Sequence, residues 1–222
     1  MLKKLKTSLA LFLVAVFITL THPHASLSAV PLERVKPYET LLNKIISLKA
    51  TFLQINPDGQ AFQGKFYLLR PGYMRIEYAK TPDGKETLPL LLVAKGSYMV
   101  HYDKELKQET QYSLDATPAG FFLRDKFDLS QEVTPIRMTT DLNTTEIELT
   151  KKNKSDEGSL TLVFSENPRH LRKWIVKDAH GQETTVTFEE FSENVIIDTR
   201  LFDHTYVDPE RLVVEEQLQP PL

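Results

Sequence analysis

Residues 62–78 read FQGKFYLLRPGYMRIEY, two alternating apolar runs on either side of an Arg-Pro-Gly corner. In the first run Phe62, Phe66 and Leu68 share one face while Gln63, Lys65 and Tyr67 share the other, the period of two of a half-buried strand. The second run repeats the pattern, with Met74, Ile76 and Tyr78 opposite Tyr73, Arg75 and Glu77. The stretch therefore predicts an antiparallel pair bent at Pro71-Gly72, with Arg70 at the bend. Phe66, Leu68, Met74 and Ile76 lie on one alternation and are expected on the concave side if the sheet curls.

Working outward, residues 49–56 run into the turn Pro57-Asp58-Gly59, so the strand over 60–69 closes a hairpin. Before it, residues 35–48 set Leu41, Ile45 and Leu48 on one helical stripe beside Tyr38 and Leu42, which predicts an amphipathic helix packed on the sheet. After the central pair, Thr81-Pro82-Asp83-Gly84 leads to strands expected at 88–94, 97–102 and 108–113. The run Leu90-Leu91-Leu92-Val93 does not alternate and predicts burial on both faces. Residues 116–124 form a short apolar insert in which Thr117 can cap, and Pro118 start, a single helical turn. Strands resume at 132–139, 144–151, 159–165, 171–178 and 183–191, and the polar end from Glu215 is expected to fray. About ten antiparallel strands with one long helix make a mainly β (α+β) fold whose sheet must curl.

The chain of 222 residues is sized for one domain. It opens with Lys3, Lys4 and Lys6, an apolar run over 9–20 and small residues over 25–29. This is the pattern of a secretory signal peptide cleaved within 25–29, because a retained spanning helix needs about 20 apolar residues. The expected divisions are thus a signal over 1–29, one domain over 30–210 and a flexible tail over 211–222. With no cysteine the exported chain has neither disulfides nor a thiol for lipidation, and a soluble protein is expected. Removing 1–29 leaves 24 basic and 30 acidic side chains, which argues against nucleic acid or an anionic membrane surface as the main partner.

No nucleophile elbow, phosphate-binding glycine loop, HExxH or cysteine metal spacing occurs, and no enzyme activity, metal or cofactor is expected. His101 and Asp103 fall on one strand face but read as a solvated strand end rather than metal ligands. Glu189 and Glu190, as adjacent strand residues, point to opposite faces and cannot flank one bond. The chain does carry large apolar residues on both faces of a sheet that one helix can only partly cover. On composition alone an ordinary core accounts for them, and a lipid cavity is the sharper alternative.

Six matches in order, Phe52-x-Gln54, Gly64 with Phe66, Arg70-Pro71 with Arg75-x-Glu77-Tyr78, Tyr102-Asp103 with Leu106, Gln108 and Thr110, the 118–123 insert, and Leu201-Phe202, resemble the outer-membrane lipoprotein carrier family, LolA. The chain departs from that family's usual pattern at Ile76, often an aromatic, and at Lys95-Gly96, often Asp-Gly. The resemblance implies an incomplete, strongly curved antiparallel barrel of ten to eleven strands, with the N-terminal helix and a short lid helix over its open side. It implies a monomeric periplasmic chaperone of a Gram-negative-type cell. Such a carrier takes acylated lipoproteins from an inner-membrane ABC transporter to an outer-membrane receptor. In that frame Phe66, Leu68, Met74 and Ile76 line a lipid cavity, Phe121, Phe122 and Leu123 plug its mouth, and Arg70 latches the lid through backbone carbonyls. The other classes weighed are a periplasmic lipid- or lipoprotein-sensing regulatory module, which a second domain or a membrane segment would mark, and an enzyme, which a nucleophile and base in one cleft would mark.

Overall fold

The Arg70 corner joins the second and third of eleven strands in one antiparallel sheet. The computed structural model describes residues 30–78, 90–103, 106–114, 120, 122–153, 155–204 and 213–217. The expectations for the signal peptide, the turn at 81–84, Thr117, Pro118 and Phe121 fall outside these residues.

The helix α1 spans Leu32–Asn43, shorter and earlier than its apolar stripe predicts. Lys44 and Ile45 amides close onto the Leu41 and Leu42 carbonyls (3.1 and 3.2 Å), and the chain then turns into β1, Ser47–Ile55. Ile45 and Leu48 therefore belong to the turn and to the strand, where Leu48, Ala50 and Phe52 alternate inward. The buried stripe of α1 is Val35, Tyr38, Glu39 and Leu42, the spacing of one helical face.

Two runs of consecutive strands follow. The first continues through β2 (Ala61–Leu69), β3 (Tyr73–Tyr78), β4 (Leu90–Lys95), β5 (Tyr98–Asp103) and β6 (Gln108–Ser113). The second is β7 (Val133–Thr140), β8 (Thr144–Lys151), β9 (Ser159–Glu166), β10 (Arg169–Lys177) and β11 (Glu183–Glu193). Pairing of β1 with β11 joins them in the order β6-β5-β4-β3-β2-β1-β11-β10-β9-β8-β7, so β6 and β7 are ends and the barrel is not closed. The expected incomplete antiparallel barrel is the observed fold.

One glycine explains a close approach inside the sheet. Gly64 faces Phe52 across the β1–β2 pair, and a Cβ there would sit 2.6 Å from the Phe52 ring and 2.3 Å from the Glu77 carbonyl.

The concave face carries the main core, which α1 covers together with residues 122–132. Asn43 holds this segment by donating to the Phe127 carbonyl (2.9 Å) and accepting from its amide (2.8 Å), and Glu39 accepts from the Leu129 amide (3.0 Å). On the far side Tyr38 Oη donates to Glu166 Oε1 (2.7 Å) and Arg169 pairs with Glu166 (2.8 Å), fastening α1 to β9 and β10. Hydrogen bonds from Thr145 and Tyr38 and the Arg169 charge hold the Glu166 carboxyl below its ordinary range.

The convex face has a second core that alternation alone does not predict. Tyr67, expected on the polar side of β2, is wholly buried with Leu91, Val93, Leu201 and Phe202. The chain after β11 supplies the cover: β12 (Val195–Ile197) and a 3-10 turn, Thr199–Phe202, lie over β2–β4. Arg75, 2% exposed, donates from Nη1 to the Leu201 and Asp203 carbonyls (2.9 and 3.0 Å) and pairs with Glu77. The expected burial of β4 on both faces follows from this arrangement. The end expected to fray is in part ordered, since β13, Val213–Gln217, pairs antiparallel with β12.

Candidate functional site

The concave core leaves a cavity of about 370 Å³ between the sheet and the 122–132 segment. Its wall near the Arg70 corner is aromatic and aliphatic, made by Phe66, Met74, Phe122 and Trp174. Trp174 stacks at 5.0 Å on Phe122 and meets Phe66 and Phe188 edge-on at 5.6 and 4.9 Å. Of the fourteen lining residues only Gln54, Tyr78, Thr184 and, through its indole N–H, Trp174 carry side-chain nitrogen or oxygen. Burial pushes the Tyr78 phenol up to about 12, its hydrogen bond to Gln54 acting in the opposite sense.

Arg70 sits beneath the covering segment, 8% exposed. Its Nε donates to the Phe122 carbonyl (2.7 Å) and its Nη1 to the Leu42 carbonyl at the end of α1 (2.8 Å). Desolvation lowers its guanidinium to about 10. The adjoining Gly72 amide donates to the Leu123 carbonyl (2.7 Å). Gly72 has φ +84 and its carbonyl accepts from Gly96 (2.9 Å), a backbone that glycine tolerates and that aims this amide at the segment. One side chain and one amide of the corner thus tie α1 and residues 122–123 together.

Four of the seven residues expected to form the cavity line it: Phe66, Met74, Ile76 and Phe122. Leu68 and Leu123 are buried in the same core without lining the cavity, and Leu68 keeps the concave side that its strand period predicts. Leu68 pairs with Met74 next to the corner, and Leu123 packs where the segment meets Gly72. Phe121 lies outside the described residues.

Trp174 is the main residue that the reading of strand periods missed. An extra residue, Arg172, opposite β9 shifts the register of β10, so Leu171 and Trp174 both face inward although they are three apart. A second bulge places Glu189 and Glu190 together opposite Thr51, and both side chains are exposed rather than split between the faces. The only sequence signal for Trp174 is that it is the sole tryptophan.

Residues 43–205 match the family model described as outer membrane lipoprotein carrier protein LolA. The chain belongs to the LolA family. It is 26% identical over 181 residues to an outer-membrane lipoprotein carrier protein of Nitrosomonas europaea, covering 77% of this chain and 84% of that one. To the protein of the same description from Methylococcus capsulatus it is 28% identical over 181 residues, with 78% and 82% covered. The crystal structure of a DUF1329 family protein from Desulfovibrio piger shares the fold at 12% identity, with a TM-score of 0.50 over 78% of this chain and 95% of that one. The family that the ordered matches resemble is therefore the one this chain belongs to. Among the described residues no helix is long and apolar enough to cross a membrane.

Proposed function

We propose that this protein is a non-enzymatic periplasmic carrier that shelters lipoprotein acyl chains in its concave cavity. It takes them from an inner-membrane ABC transporter and delivers them to an outer-membrane receptor. Residues 1–29 are its export signal, and 30–210 form one soluble, monomeric carrier domain. The observation that supports the reading most is an apolar cavity under a segment whose Phe122 carbonyl is held by a buried arginine. At ~0.8 kcal/mol per buried CH₂, acyl chains do not cross water uncovered. A volume of about 370 Å³ is at the low end of the ~300–1,000 Å³ of small-molecule sites, so several chains enter only if the covering segment moves. Arg70 is the latch of the empty state in this reading. Its bonds to Phe122 and Leu42 close the site, and lipid entry competes with them.

Purification from the periplasm of its own cell followed by mass spectrometry tests this reading. Acylated proteins are expected to co-purify with wild type and to be lost when Phe122 is made Glu. A preparation carrying no acylated protein overturns it.

A further inference from the structure

Apart from the Trp174 indole N–H, the polar side-chain groups of the cavity gather at one end. Gln54 is the penultimate residue of β1, Tyr78 the last of β3 and Thr184 the second of β11, all half-buried at the strand ends away from the Arg70 corner. Gln54 pairs with Val186 across β1 and β11, so Thr184 stands diagonally from it, about 7–8 Å by sheet geometry. Tyr78 Oη donates to Gln54 Oε1 (2.8 Å), and Gln54 Nε2 donates to Asn56 Oδ1 (2.7 Å). A primary amide has two N–H donors and Asn56 takes one, so Gln54, held by the Tyr78 hydroxyl, retains a donor for a carbonyl where it lines the cavity. The T-shaped contacts of Tyr78 with Phe52 and Phe62, at 5.5 and 6.3 Å, fix its ring there. The opposite wall, Phe66, Met74, Phe122 and Trp174, offers rings, methylenes and a thioether, with the Trp174 indole N–H as its one donor.

An amphiphile has one favoured direction in such a site. A carbonyl placed against Phe66, Met74 and Phe122 loses its hydrogen bonds to water without replacement, while a methyl end there loses nothing. We propose that Gln54 and Tyr78, with Thr184 beside them, form a subsite for acyl carbonyls, so that the ester or amide linkages of bound chains lie at this end. The chain ends then point toward Trp174 and Phe122. This inference rests on the lipid-carrier reading and adds direction and linkage selectivity to it. It also makes the chain ends the part of the ligand that meets Phe122, whose carbonyl Arg70 holds.

Two synthetic lipopeptides of equal chain length test it, one with two ester-linked chains on a glyceryl cysteine and one with ether linkages. Affinity is read by displacement of an apolar fluorescent probe. Wild type should bind the ester form roughly threefold to tenfold more tightly, the effect of one neutral hydrogen bond. Gln54→Met and Tyr78→Phe should each lower ester affinity more than ether affinity and so reduce that preference, with circular dichroism checking that the sheet stays folded. Independently of any variant, the infrared band of a carbonyl-labelled ester chain should move to lower frequency on binding wild type than in an apolar solvent. Equal affinity of wild type for ester and ether, a preference that survives both variants, or an unshifted carbonyl band overturns the subsite and leaves the carrier reading standing. Binding of neither lipopeptide overturns the carrier reading and the subsite with it.

Discussion

Replacing Arg70 by Leu tests the proposed latch. In the closed arrangement the guanidinium makes two hydrogen bonds to carbonyls, at 2.7 and 2.8 Å. At ~1.5–3 kcal/mol each for a charged donor they contribute roughly 3–6 kcal/mol. Burial opposes them: desolvation lowers the guanidinium to about 10, a cost of about 3 kcal/mol at ~1.36 kcal/mol per factor of ten. The difference, about 0–3 kcal/mol, is what Arg70 adds to closure, a bias of at most roughly a hundredfold. That suits a segment proposed to yield to a ligand. Trp174 reports it directly, being the sole tryptophan and lying 5.0 Å from the Phe122 ring. Acrylamide quenching of Trp174 should rise in empty Arg70→Leu and rise less in Arg70→Lys, whose ammonium keeps the charge but lacks the fork that spans two carbonyls. Amide exchange over 122–132 should quicken in the same order. Arg70→Leu should load lipoprotein readily and hand it on slowly to acceptor vesicles, because closure no longer competes with the lipid. Wild-type quenching, exchange and transfer in a folded Arg70→Leu protein would refute the latch.

Phe122→Glu should lower affinity for an apolar probe by about tenfold or more, since burying one large side chain is worth ~1.5–3 kcal/mol, while circular dichroism of the sheet stays unchanged; undiminished binding counts against Phe122 as cavity wall. A photo-crosslinker at Ile76, which lines the cavity, should capture lipoprotein, and one at Lys65, on the opposite alternation, should not; equal capture at the two positions would remove the assignment of faces. Arg75→Met should cost about 3 kcal/mol in thermal or urea unfolding, because it leaves Glu77 without its partner and frees the Leu201 and Asp203 carbonyls. Acyl binding should be spared, and a wild-type melting curve would show that the convex clamp contributes nothing. The Glu166 carboxyl is held below its ordinary 4.5 in the fold, so its contribution is complete above 4.5 and is lost as pH falls through the lower folded value. Melting temperatures between pH 6 and 3 should therefore drop more steeply in wild type than in Glu166→Gln, and parallel curves would exclude this linkage.

Much of this architecture is written in short-range pattern. The alternation around Arg70-Pro71-Gly72 gives the central pair and puts Phe66, Met74 and Ile76 on the cavity side, because a strand period of two needs only neighbouring residues. The position of Arg70 at a rigid corner was legible too, and the family resemblance supplied the expectation that its partners are carbonyls of the covering segment. Other features depend on residues far apart in the chain. The pairing of β1 with β11 joins two arms that sequence order shows only as successive strands. Bulges at Arg172 and at Glu189-Glu190 reset which side chains face inward, bringing Trp174 into the cavity against the local period. Tyr67 looked like the polar side of its strand, and only the return of Val195 to Phe202 across the convex face buries it. Alternation specifies which residues share a face, but which face is covered is set by the free energy of docking distant segments. That term exists only once the chain has closed on itself.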